Sequence, residues 1–284
     1  MDHTSSTFFT GPGEQEIYSQ SWLPEGNLRG CLLILHGLGE HSGRYYNLID
    51  YLVPEGFGLY GFDFPGHGRS EGTPGHIASV EDFFPPVQRA AAEIVKRHPS
   101  IPLFLWGHSM GGLLAIKYIQ DQQTPFRGVI LSSPSLSTPQ SANPLTVLLG
   151  NIFSHFFPRF PLSALDHSQL SRDPAVVEDY REDPLVYQGK YSARLAVELL
   201  KTIAQVKSRA ADFTHPVLLL IGGADQISLA PDTLEFAEDL GSVDKTVLIF
   251  KEFQHELINE PGKEQVLDKV LTWLNERLRE GAPG

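Results

Sequence analysis

"LFLWGHSMGGLLAIK", residues 103–117, sets one apolar run against another, with a serine boxed in by glycines at their junction. Glycine weakens strands and helices alike, so Gly107, Gly111 and Gly112 need a reason to crowd around Ser109. A strand that turns directly into a helix supplies one: side chains two positions either side of the bend have no room, and the serine is pushed out at its apex. The following helix also points backbone N–H groups and its positive dipole end at that serine. Gly107-x-Ser109-x-Gly111 therefore reads as a nucleophile elbow, with Gly107 and Gly111 in structural roles.

A serine hydroxyl attacks an acyl carbon at neutral pH only with a base beside it and a carboxylate to orient that base. On such an elbow the partners follow in the order Ser, Asp or Glu, His, on loops after later strands. Asp225 in "LLLIGGADQIS" follows an apolar strand through a Gly-Gly turn, and His255 in "VLIFKEFQHELINE" follows the next strand at a similar offset. These complete the expected triad. The developing oxyanion needs two donors: the backbone N–H after the nucleophile, at Met110, and one from the loop after an early strand. "LHGLGEHSGRY" (35–45) supplies that loop and places Leu38 as the second donor. Among rivals, Asp63 precedes Ser109 and suits a turn that ties down a loop, while Asp232 suits a helix start. His108 is expected to point away from its neighbour Ser109, and His36, His41 and His67 to bond within loops.

Working outward, short apolar runs alternate with helical spacings. Strands are expected at 16–23, 31–37, 57–63, 101–107, 127–134, 216–223 and 245–250, and helices near 44–56, 79–98, 110–121, 231–240 and 261–280. This alternation implies a mostly parallel sheet with helices on both faces, an α/β class. The pattern breaks between about 136 and 207. Within that break, "LTVLLGNIFSHFFPRFPL" (145–162) has apolar residues mostly at helical spacing. We read 1–135 and 208–284 as the two parts of one core, and 136–207 as a mainly helical cap inserted over the binding crevice. The cap's apolar face has three uses open to it: lining an acyl tunnel, touching a membrane surface, or packing on the core.

Composition limits the function classes. A net charge of −12 over 284 residues, with no Lys/Arg cluster, argues against a nucleic-acid partner. The single cysteine, Cys31, lies in an apolar run and reads as an inert buried thiol. The eleven histidines show no metal-ligand spacing, so neither metal nor cofactor is expected. The first residues carry an acid at position 2 and no apolar core, unlike a signal peptide. No apolar run is long enough to span a bilayer. A cytoplasmic protein is expected, acting on a small lipid ester, with transient membrane-surface contact one of the uses open to the cap.

Six stretches now stand together: "HGLGEHSGRY" (36–45), "DFPGHGRSEG" (63–72), "GHSMGG" (107–112), "DPLVYQGKYSARLAVELL" (183–200), "GGADQIS" (222–228) and "HELINE" (255–260). In these the sequence resembles the monoacylglycerol lipase and lysophospholipase group of α/β-hydrolases, the serine-aminopeptidase-like branch. The resemblance covers nearly the whole chain in family order. It implies an α/β-hydrolase fold and a hydrolase that cleaves monoacylglycerols or similar single-chain esters. It also implies Ser109, Asp225 and His255 as triad, with Leu38 and Met110 at the oxyanion-hole positions. Animal members of the group carry Ala where Leu38 stands, a change that a backbone donor tolerates.

Overall fold

Four six-residue runs, Gly30–Leu35 (β3), Phe57–Phe62 (β4), Leu103–His108 (β5) and Val217–Gly222 (β7), are buried at every position, as strands covered on both faces must be. With Thr4–Thr10 (β1), Glu16–Trp22 (β2), Phe126–Ser132 (β6) and Lys245–Phe250 (β8) they form one eight-stranded sheet. Its order is β1-β2-β4-β3-β5-β6-β7-β8, antiparallel at β1–β2 and β2–β4 and parallel from there on. The computed structural model describes residues 4–138, 150, 152–162, 164 and 166–279.

Helices Tyr46–Leu52 (α1), Phe84–Arg97 (α2), Met110–Asp121 (α3), Pro174–Glu182 (α4), Ala193–Ser208 (α5) and Ala230–Asp239 (α6) lie between strands, and Glu264–Arg279 (α7) follows the last one. Alternation along each strand splits the core in two. Leu33, Leu105, Leu131 and Leu219 pack with Val87, Ile94, Leu113, Val206 and Phe236 from α2, α3, α5 and α6. Leu32, Phe104, Ile130 and Leu218 pack with Leu48, Leu52, Val270 and Trp273 from α1 and α7. The expected doubly covered, mostly parallel sheet is therefore present.

The expected bounds of α3 and β8 coincide with the observed ones. The helix expected at 79–98 begins as a 3-10 turn, Val80–Phe83, closed by a capping box between Ser79 and Asp82. The α-helix proper then starts at Phe84, with Pro85 and Pro86 in its first turn, where a missing N–H costs nothing. β1 was not expected. It is an edge strand, mostly exposed, so its sequence carries no alternation imposed by burial.

Between β6 and β7 the described residues add no strand to the sheet. They include helical residues 152–156, α4, α5 and an isolated bridge between Pro161 and Ser192. Of the expected apolar stretch, residues 145–149 and 151 lie outside the described residues, as do 139–144 before it. At the other end of the segment, α5 buries Leu195, Ile203 and Val206 in the main core.

Candidate active site

β5 delivers Ser109 to the carboxyl edge of the sheet with φ 52° and ψ −117°. A non-glycine residue at positive φ costs about 1–3 kcal/mol and persists only where its surroundings fix it. Here they do. Ser109 N–H donates to Ser132 O at 3.0 Å, and Ser135 N–H donates to Ser109 O at 3.0 Å, so the elbow is stitched to the end of β6. The flanking glycines leave no space for a methyl group. A Cβ on Gly107 would stand 2.6 Å from Gly111 O, and one on Gly111 would run into the carbonyls of Leu35 and His36.

The loops after β7 and β8 bring the other two predicted residues to Ser109. Asp225 Oδ1 accepts N–H from Ile227 (2.8 Å) and Ser228 (2.9 Å), which fixes its carboxylate. Its Oδ2 lies 2.8 Å from His255 Nδ1, and His255 Nε2 lies 2.8 Å from Ser109 Oγ. Burial pushes the Asp225 carboxyl up, but His255 and these backbone donors outweigh it and hold the group below the usual range. An ionised Asp225 fixes the tautomer. Nδ1–H donates to the carboxylate, Nε2 is left as acceptor, and Ser109 O–H donates to it. All three side chains are buried.

Leu38 and Met110 border the same cavity of about 100 Å³ as Ser109 and His255. Met110 is the first residue of α3, where an N–H has no partner within the helix. The loop carrying Leu38 rests on a buried polar cluster that sequence reading left unassigned. Gly37 N–H donates to Glu40 Oε1 at 2.5 Å, and Tyr45 O–H donates to the same oxygen at 2.8 Å. Arg44 Nη2 reaches Glu256 Oε2 at 3.1 Å, and its guanidinium lies over the Tyr180 ring. Burial first, then the neighbouring Glu256, raise Glu40 to about 7 against the pull of Arg44. Since Glu256 directly follows His255, the cluster ties the Leu38 loop to the histidine loop. "GEHSGR" and "HELINE" held these residues in plain view. Only the fold shows that they meet.

Asp63 ties down a loop as expected, accepting from Ser42 N–H, Ser42 O–H and Arg69 N–H. His36 Nε2 accepts from Phe64 N–H, His41 bonds Gly43 N–H and Asp183, and His67 bonds Pro65 O. Asp232 sits in the first turn of α6 but does not cap it; Leu229, the cap position, donates its N–H to Ser137 Oγ. His108 departs from expectation. Its Nδ1 bonds Ser132 O at 3.1 Å, and that anchor at the strand end sets its ring against His255, centroids 4.8 Å apart. Burial and then His255 lower it to about 3, so it is a neutral wall. Ser135 was also missed: its Oγ lies 3.2 Å from Ser109 Oγ. Its signal was faint, a serine just past a strand that pairs with the nucleophile's own.

Described residues of the segment between β6 and β7 border the site. Leu170, Tyr180 and Leu199 line the cavity, Leu170 O accepts from Glu256 N–H, and Tyr187 N–H donates to Gly39 O. Arg172 binds the buried Glu260 through both N–H and Nε. A larger cavity of about 530 Å³ beside α1 contains none of the predicted site residues. Among the described residues no group of three His, Cys, Asp or Glu could hold a metal ion, and no helix is long and apolar enough to cross a membrane.

Comparison with known proteins gives consistent results. Residues 26–262 match the family model described as serine aminopeptidase, S33. A monoacylglycerol lipase of Mycolicibacterium smegmatis is 30% identical over 270 residues, covering 95% of this chain and 96% of its own. The monoglyceride lipase of Mus musculus is 32% identical over 273 residues, 95% of this chain and 90% of its own. The crystal structure of a Paleococcus ferrophilus monoacylglycerol lipase superposes with a TM-score of 0.81 at 36% identity, covering 92% of this chain and 99% of that one.

Proposed function

Because the chain belongs to the serine aminopeptidase S33 family and carries the α/β-hydrolase fold, we propose that it is a carboxylic ester hydrolase acting on monoacylglycerols or similar single-chain acyl esters. The observation that carries this reading is the hydrogen-bonded chain from Ser109 through His255 to Asp225, with links of 2.8 Å and 2.8 Å, at the edge of a cavity that Leu38, Met110, Leu170, Leu199 and Ile227 border.

In this reading Ser109 Oγ attacks the ester carbonyl while its proton passes to His255 Nε2. Asp225 holds the imidazole in the competent tautomer and stabilises the imidazolium. The N–H groups of Met110 and Leu38 receive the oxyanion charge. His255 returns the proton to the departing glycerol. Water, deprotonated by the same nitrogen, then releases the fatty acid. No metal or cofactor is needed for any of these transfers.

The segment 136–207 acts as the cap in this proposal, and its outer surface is the contact with the lipid phase. Phe156, Phe157, Ile152, Phe153, Phe160 and Leu162 are all exposed, Phe156 at 70%. Clustered exposed apolar groups of this kind mark an interaction surface. A membrane interface, where a single-chain glyceride partitions, matches both the surface and the substrate.

The test is release of glycerol and fatty acid from monoolein, run beside diolein, a lysophospholipid and an aminoacyl amide. Monoolein should be turned over fastest. Ser109→Ala should lower turnover by roughly 10⁶. A preference for the aminoacyl amide would overturn the substrate assignment.

A further inference from the structure

Among the described residues Ser109 Oγ has two hydrogen-bonding neighbours, and only one is explained by the triad. His255 Nε2 stands at 2.8 Å and Ser135 Oγ at 3.2 Å. The direction of the second bond follows from the first. With Asp225 ionised, His255 carries its proton on Nδ1, so Nε2 accepts and takes the single proton of Ser109. Ser109 Oγ then has only lone pairs for Ser135, and Ser135 must be the donor.

We infer that Ser135 is a further catalytic residue, whose hydroxyl donates to Ser109 Oγ and stabilises the negative charge that this oxygen carries when it attacks and when it leaves. The inference rests on the proposed ester hydrolysis. In acylation the Ser109 O–H bond breaks, its proton goes to Nε2, and the Oγ–C bond forms. In deacylation the Oγ–C bond breaks and Oγ recovers a proton from Nε2. Ser135 keeps its own proton throughout, and its bond is strongest where Oγ is most anionic. After acylation Oγ is an ester oxygen, a poor acceptor, so little of the bond energy is lost to stabilising the intermediate.

The backbone makes this contact reliable. Ser135 N–H donates to Ser109 O, and Ser109 N–H to Ser132 O, both at 3.0 Å, so the two serines move as one unit. Ser135 is half-buried and borders the same cavity as the nucleophile.

The test uses a p-nitrophenyl ester followed by stopped flow, with wild type, Ser135→Ala, Ser135→Thr and Ser109→Ala. Ser135→Ala should slow the acylation burst and the steady-state kcat by a similar factor, roughly tenfold, with KM unchanged. Ser135→Thr, which keeps the hydroxyl, should restore most of the rate. Wild-type burst rates in Ser135→Ala, or a loss that Ser135→Thr does not repair although melting temperatures agree, would overturn the role. Ser109→Ala separates the claims. If it is inactive while Ser135→Ala is unimpaired, only this inference falls, and if it stays active, the reading beneath it falls as well.

Discussion

Replacing Asp225 with Asn removes one charge from the site with almost no change in shape, and the structure dictates where the new amide must point. Oδ1 faces two backbone donors, from Ile227 at 2.8 Å and Ser228 at 2.9 Å, while Oδ2 faces His255 Nδ1 at 2.8 Å. An Asn has one acceptor oxygen. Turning its NH₂ toward the two N–H groups would set donors against donors, so the oxygen stays there and the NH₂ meets His255. Nδ1 must then accept, the ring proton moves to Nε2, and the nitrogen beside Ser109 can no longer take a proton. A wrong tautomer of this kind costs roughly 10⁴ in turnover, which is about 5.4 kcal/mol of transition-state stabilisation. Fatty-acid release from monoolein at neutral pH measures it, with circular dichroism to show that the variant is folded. A folded Asp225→Asn enzyme within roughly tenfold of wild type would refute the tautomer argument.

Other perturbations test the supports of the site. Gly111→Ala should destabilise the protein by about 1–3 kcal/mol or more, because its methyl meets the backbone carbonyls of Leu35 and His36, which cannot step aside; urea unfolding measures it. Glu40, raised to about 7, keeps its proton in the folded state over a pH range where the unfolded chain has lost it. It therefore subtracts stability as pH climbs from its ordinary value of 4.5 through that range. The melting temperature of Glu40→Gln relative to wild type should accordingly rise between about pH 5 and pH 8, and a flat difference would contradict the raised value. Phe156→Ser with Phe157→Ser should weaken sedimentation with phosphatidylcholine vesicles at least roughly tenfold, while hydrolysis of a soluble ester stays near wild type. Unchanged sedimentation would remove the membrane-contact proposal.

The sequence disclosed the sheet best where burial on both faces forced unbroken apolar runs, as in "CLLIL" and "VLLLIG". Ser109 and Asp225 were legible because each follows such a run; His255 follows β8, apolar in sequence but only partly buried, and strand ends in one parallel sheet share an edge. β1 was illegible for the converse reason: an exposed edge strand is under no burial constraint that would leave a pattern. His108 was misjudged because sequence adjacency to the nucleophile says nothing of the carbonyl of Ser132 that anchors its ring. Ser135 and the Glu40–Arg44–Glu256 cluster escaped because their roles depend on contacts across as many as 212 positions of chain. Local spacing carries no trace of these.

The account turns on a covalent bond at one oxygen. Rapid quenching during turnover of a slow p-nitrophenyl ester, followed by intact-mass and peptide mass spectrometry, looks for that bond directly. The account predicts one acyl group per chain, located on Ser109 and absent from Ser109→Ala. An acyl group carried by another residue, or undiminished ester turnover by Ser109→Ala, would contradict it.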